Sequence, residues 1–357
     1  MGNCDSNRAK NNTKNKQPDN PIIDKMKDNS SYYSQEKINE IEEKRKKDDS
    51  SYIYNPNIIY IPFTIDYSRK LEVGIFYNIY AGTFLPTKEK VSIKIQKTNK
   101  YNYFSNEIKI YKKLNWIEGI PKIYWSGNYH GNDTIVIQLL GQSLQKYFYT
   151  HNKNLPLSEI KNIGIQALNL LESIHNRGIV NGDIKPSSFY LGINETSKIY
   201  LSDFGFAFEF NNYSERIKEV YSFTDLKFCS KNCCLNYQKS RRDDIESLGY
   251  ILVYLLKGFF PWEYSNNDIN IKQKKLSTSL NDLCSGLSFN IKEFISYSWN
   301  LKFDEKLNYN YLRDLLRNSD KIYPIKKAFS KEFFKQICPN GFNLESYKSN
   351  NLFHIKN

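Results

Sequence analysis

The chain has 357 residues, 40% of them hydrophobic and 25% charged, and a formal net charge of +13. That length allows one two-lobed unit or two ordinary domains with a tail, and the composition is ordinary for a globular protein. Six cysteines (Cys4, Cys229, Cys233, Cys234, Cys284, Cys338) without scaffold spacing or a Cys-x-x-Cys pair exclude a disulfide framework and speak against a zinc site, and the absence of a secretory segment or a bilayer-length apolar run excludes a spanning protein.

The chain opens Met1-Gly2-Asn3-Cys4-Asp5-Ser6. Loss of Met1 exposes Gly2, and Ser6 completes the N-myristoylation pattern M-G-x-x-x-[ST]; an unmodified tail is the competing interpretation. Cys4 is a candidate for palmitoylation, and two acyl chains anchor stably where one holds only marginally. Arg8, Lys10, Lys14 and Lys16 add attraction to anionic lipid. The expectation is a protein held on the cytosolic face of a membrane. Residues 1–55 are otherwise polar and too poor in apolar side chains to fold alone, so they read as a tether, and the 38–47 stretch reads as a solvated, charged linker in preference to a short amphipathic helix.

From Ile58 the pattern changes to alternating aromatic and β-branched residues, which predicts strands over 60–96, including Phe76–Ala81 and Val91–Ile95. Val91-Ser92-Ile93-Lys94 puts a lysine late in a strand, where it can meet phosphate oxygens if a carboxylate holds it. Glu107, in a helical pattern from Asn106 to Leu114, can be that carboxylate. Taken alone, both are ordinary surface charges. An amphipathic helix over Leu157–Asn176 leads to Ile179-Val180-Asn181-Gly182-Asp183-Ile184-Lys185-Pro186. This segment resembles the catalytic loop H-R-D-x-x-x-x-N of kinases in register, which implies that Asp183 would orient a substrate hydroxyl and Lys185 would offset charge on a transferred phosphoryl group. A strand over Lys198–Leu201 then delivers Asp203-Phe204-Gly205, whose carboxylate can hold Mg2+ against phosphates. The stretch Leu248–Leu256 reads as a core helix, and residues 321–357 show little periodicity and no assignable role.

In this order and spacing the motifs resemble the protein kinases, and Ser240-Arg241-Arg242-Asp243-Asp244-Ile245-Glu246-Ser247-Leu248-Gly249-Tyr250 resembles the S-R-R-D-D-L-E-S-L-G-Y of the casein kinase I family. Gly119-Ile120-Pro121, Leu139-Leu140-Gly141-Gln142-Ser143-Leu144, Pro261-Trp262, Lys274–Thr278 and Leu301–Arg313 extend the likeness from about Tyr67 to Asn318. The resemblance implies an α+β bilobal kinase fold over 56–320, with a small β-rich lobe (56–140) and a larger helical one (141–320). It implies ATP with Mg2+, or Mn2+ in its place, and acidic or phosphorylated protein substrates. A basic domain suits such substrates, whereas nucleic acid has only the net charge behind it and is not expected. Gly74, Ile79 and Leu140 would line the nucleotide site, with Ile137 as gatekeeper and Gln138–Leu140 as hinge. Asp203 and Ser188 would hold metal, and Lys227 would touch a substrate anion. Asp244 would cap the catalytic loop, and Arg241 and Arg242 would be structural ion-pair partners.

Four departures separate this chain from the family pattern. Glu72 and Tyr77 replace two of the three glycines of G-x-G-x-x-G, which is expected to weaken nucleotide binding by charge and bulk. Ser188 stands where an asparagine holds the second metal ion. Asn181-Gly182 replaces His-Arg, which is expected to loosen the catalytic loop. Phe223-Thr224-Asp225 and a short Trp262–Lys274 segment alter the expected peptide groove. Two functions follow from these residues: a slow serine/threonine kinase, or a membrane-tethered pseudokinase that acts as a protein-binding scaffold.

Overall fold

The structure, a computed structural model, describes residues 61–97, 103–210, 225–263, 265 and 267–319. Gly2, Cys4, the 38–47 segment and the 321–357 tail lie outside the described residues.

Five strands, β1 (Phe63–Val73), β2 (Tyr77–Phe84), β3 (Lys90–Gln96), β4 (Ile123–Tyr129) and β5 (Asn132–Gln138), form one antiparallel sheet in the order β1-β2-β3-β5-β4. Helix α1 (Tyr103–Leu114) lies between β3 and β4 in sequence. It starts three residues before the expected Asn106, because Tyr103 and Phe104 are themselves buried and extend the apolar face. The rest is mainly helical: α2 (Leu144–Thr150), α3 (Leu157–His175), α4 (Lys231–Cys234), α5 (Arg241–Lys257), α6 (Asp268–Ser277), α7 (Leu280–Leu283), α8 (Phe289–Asn300) and α9 (Tyr309–Arg317). The arrangement is the mixed α+β bilobal kinase fold. No described helix is long and apolar enough to cross a membrane.

Four short strands position the site between the lobes: β6 (Ile179–Val180), β7 (Phe189–Leu191), β8 (Ile199–Leu201) and β9 (Phe208–Glu209). β6 pairs with β9 and β7 with β8, both antiparallel. Loop 181–188 therefore begins at one ladder and ends at the other, and loop 202–207 closes between the same two. The two loops that carry Asp183 and Asp203 are held side by side, with the Ser202 N–H donating to the Ser188 carbonyl at 2.9 Å.

Helix α5 is buried almost all round, as a helix at the centre of a lobe must be. Its first turn carries Asp243 and Asp244, suited to the positive end of the helix dipole, and Gly258 ends it in the left-handed region at φ +81°. Phe260 stacks on Trp262 at 4.7 Å, and Tyr250 meets Trp262 edge-on at 5.5 Å. Lys275 is buried against these rings and donates to the Leu226 and Cys229 carbonyls at 2.7 and 2.6 Å. A buried ammonium thus fastens the 226–229 segment to the large lobe.

Asp244 serves the backbone of the catalytic loop. It accepts from the N–H groups of Asn181 and Gly182, both at 2.8 Å, and lies 2.9 Å from His175 Nε2. Asp244→Ala strands those donors in the interior and is expected to lower the unfolding free energy by about 3–5 kcal/mol, read from a urea titration. An unchanged midpoint would contradict this assignment.

Candidate active site

Lys94 lies on β3 in register with Ile79 on β2 and Ile135 on β5. Its ammonium is 2.9 Å from each Glu107 carboxylate oxygen and 3.2 Å from Asp203 Oδ1. Lys94 is 3% exposed and Glu107 1%. Burial works against the charged amine, but the Asp203 and Glu107 carboxylates outweigh it and hold the Lys94 pKa above its ordinary value. Burial raises the Glu107 pKa, with Lys94 opposing. Burial also acts to raise that of Asp203, but Lys94 and Lys185 overcome it and keep the group a carboxylate.

One face of α1 orders the segment around Asp203. Residues at i, i+3, i+4 and i+8 share a helix face. Tyr103 donates its hydroxyl to Asp203 Oδ1, and Asn106 donates to the Gly205 and Ala207 carbonyls at 2.9 and 2.7 Å. Glu107 accepts from the Phe204 N–H at 3.4 Å, and Tyr111 Oη lies 2.8 Å from Ser202 Oγ. Asp203 itself sits at φ +73°, a strained conformation for a non-glycine residue that these contacts hold in place. Tyr103 and Asn106 had no place in the sequence motifs. Their helical spacing from Glu107 is the signal that could have found them.

On the catalytic loop, Asp183 is buried and paired with Lys185. Burial pushes its pKa up to about 6 against the pull of Lys185, so above that pH it is a carboxylate able to accept a proton. The expectation that Asn181-Gly182 loosens the loop is corrected. Asn181 is buried, its Oδ1 accepts from the Asp183 N–H at 3.0 Å, and its Nδ2 donates to the Asp203 carbonyl at 3.3 Å. A side-chain amide has one donor and one acceptor face, enough to bridge the two loops. Gly182, at φ +72°, supplies a turn that a side chain would strain, and its carbonyl accepts from Lys239 at 2.5 Å. Ser188 is buried, with its hydroxyl donated to the Asp183 carbonyl at 3.1 Å.

The β1–β2 turn differs most from an open phosphate cradle. Tyr77 is buried with its ring 3.8 Å from Lys94 Nζ, and Tyr103 places its ring 5.1 Å from the same atom. Phe76 stacks on Tyr103 at 5.2 Å. Gly74 makes room for this packing, since a Cβ there would lie 2.9 Å from the Tyr77 ring.

Ile79 and Ile137 are buried and Leu140 is half-buried, and the adjoining Gly141 N–H donates to the Leu191 carbonyl at 2.8 Å. Lys227 is partly exposed, with its ammonium 3.6 Å from Glu263, so an incoming anion would compete with that carboxylate. Arg242 lies 3.7 Å from the Asp243 carboxylate and donates to the Leu301 carbonyl at 3.1 Å. Among the described residues no carboxylate pairs with Arg241, which donates to the Asp304 carbonyl at 2.9 Å and lies 4.6 Å over the Phe210 ring. Among the described residues no group of His, Cys, Asp and Glu side chains forms a metal cluster, and Cys229, Cys233, Cys234 and Cys284 are free, buried thiols.

Asn181→Ala is expected to speed hydrogen exchange of the Asp183 amide by about tenfold or more, the worth of one buried hydrogen bond and its orphaned partner. Unchanged exchange would remove Asn181 as the bridge.

The chain matches a family model, Protein kinase domain, over residues 66–320. That range takes in both lobes and Lys94, Glu107, Asp183 and Asp203, and the chain belongs to the protein kinase domain family, whose members use ATP with a divalent metal ion and act on proteins.

Proposed function

We propose that this chain is a serine/threonine protein kinase of the casein kinase I type, moving the γ-phosphoryl group of ATP to acidic or already phosphorylated proteins at the cytosolic face of a membrane. The observation that carries the proposal is the buried Lys94–Glu107–Asp203 cluster with Asp183 and Lys185 on the adjoining loop. In the transfer, the substrate hydroxyl oxygen bonds to the γ-phosphorus and the bond to the ADP oxygen breaks. Asp183 accepts the hydroxyl proton, Lys94 holds nucleotide phosphate, and Lys185 offsets charge on the group in flight. The oxygen donors of Asp203 and Ser188 fit Mg2+ or Mn2+, and these two residues would hold it. Bound there, the ion supplies neutralisation of phosphate charge.

The basic domain and Lys227 support an acidic or phosphorylated substrate, through charge complementarity. Gly2 and Cys4 support a dual acyl anchor. A second reading, a tethered pseudokinase scaffold, is favoured by one observation: the rings of Tyr77 and Tyr103 lie against the Lys94 ammonium.

Labelled ATP with Mg2+ or Mn2+ and casein or an acidic peptide separates the two. Transfer is expected in the wild type, lost in Asp203→Asn, and raised in Ser188→Asn by as much as ~10²-fold, the scale of one preorganised group in a transition state. No transfer and no thermal stabilisation by nucleotide would leave the scaffold. For the anchor, Gly2→Ala is expected to move the protein from the membrane fraction to the cytosol. An unchanged distribution would exclude myristoylation as the tether.

A further inference from the structure

Along β1, Leu71, Val73 and the following Ile75 turn outward, with Val73 64% and Ile75 76% exposed. Alternation along a strand then aims Glu72 the other way, into the cleft. Its carboxylate accepts two hydrogen bonds from opposite sides. Tyr190 donates to Oε2 at 2.7 Å, and Tyr77 donates to Oε1 at 3.2 Å.

We propose that Glu72 and Tyr190 form a latch that holds the β1–β2 turn shut over the cleft, so that nucleotide has to open it to bind. This rests on the kinase reading above. The two partners differ in rigidity. Tyr190 stands on β7, paired with Tyr200 of β8 on one side and bridged to Ser143 on the other. Gly141 and Leu191 add a further backbone bond beside it. It is a fixed post in the large lobe. β1 is the less regular element, since its register against β2 shifts between Asp66 and Lys70 and again between Lys70 and Glu72. The latch ties that irregular edge to the post.

The same carboxylate sets Tyr77. With its hydroxyl on Glu72 and its ring beneath Gly74, Tyr77 lies against the Lys94 ammonium. A phosphate binding Lys94 has to displace this ring, whose hydroxyl is held by the Glu72 carboxylate. Opening the turn releases both together. Apparent affinity is then the intrinsic affinity reduced by the fraction of molecules with the latch open. One hydrogen bond to a charged acceptor shifts that fraction by about tenfold or more.

The test is titration of MgATP into the full chain by calorimetry, with hydrogen exchange of the 72–78 segment measured without nucleotide. Tyr190→Phe removes the latch hydroxyl and leaves the charge unchanged. It is expected to tighten MgATP about tenfold and to speed exchange across 72–78. Glu72→Ala removes both latch and charge, so the double variant Glu72→Ala/Tyr190→Phe decides how it acts. With a latch the double variant binds no tighter than the tighter single variant; multiplying effects would mean that Glu72 acts by charge alone and overturn the proposal. Unchanged exchange in Tyr190→Phe would overturn it as well, whatever the affinity. Faster exchange with no MgATP binding by any variant upholds the latch and sinks the kinase reading.

Discussion

The ammonium of Lys94, enclosed by the carboxylates of Glu107 and Asp203, is the interaction on which the rest of the site depends. One cation and two anions in a nearly dry environment are stable only together, since removing one partner leaves an uncompensated buried charge. The cluster also joins three elements distant in sequence: β3, α1 and the segment after β8. Once Glu107 is fixed to Lys94, the remaining positions on the same face of α1 have no freedom to point elsewhere. Tyr103, Asn106 and Tyr111 therefore meet the 202–207 segment and hold Asp203 in its strained conformation.

A second buried anion organises the other lobe. Asp244 receives two backbone N–H groups of the catalytic loop and faces His175, whose other ring nitrogen lies 2.5 Å from the Tyr309 hydroxyl. The two centres are linked through Asn181. Its backbone N–H goes to Asp244, and its side chain goes to the Asp183 N–H and the Asp203 carbonyl. The catalytic loop thus hangs between a cation-centred cluster above and an anion-centred one below. A short amide is long enough to close the gap, because the paired ladders already hold the two loops together.

Lys94 and Glu107 were legible in the sequence through strand and helix periods, Asp183 and Asp203 through motif order and spacing, and Asp244 through the family resemblance. The second half of the central helix was legible in the apolar run Leu248–Leu256, whereas Asp243, Asp244 and Glu246 in its first half are buried without any apolar signal. What escaped notice are contacts between residues far apart in the chain. Tyr190 and Glu72 are 118 positions apart, and no local pattern says that one will donate to the other. Arg241 reads as a carboxylate partner, yet a guanidinium also stacks on rings, and among the described residues it lies over Phe210. Asn181 reads in the sequence as the loss of a histidine, but its amide bonds to both loops.

Those contacts change the meaning of the departures from the family pattern. As separate losses, Glu72 places a negative charge beside phosphates and Tyr77 adds bulk. In the folded chain they are not separate. The carboxylate of Glu72 is satisfied by Tyr77 and Tyr190, the ring of Tyr77 lies on Lys94, and the single remaining glycine leaves space for that ring. A cleft degraded by unrelated changes would leave a carboxylate or a hydroxyl there without a partner, at the cost of its desolvation. Here each replacement supplies the hydrogen bond or the contact that another requires. Closing the cleft this way leaves Lys94, Glu107, Asp183 and Asp203 assembled beneath the cover, so what the substitutions alter is access to the charged cluster and not the cluster itself.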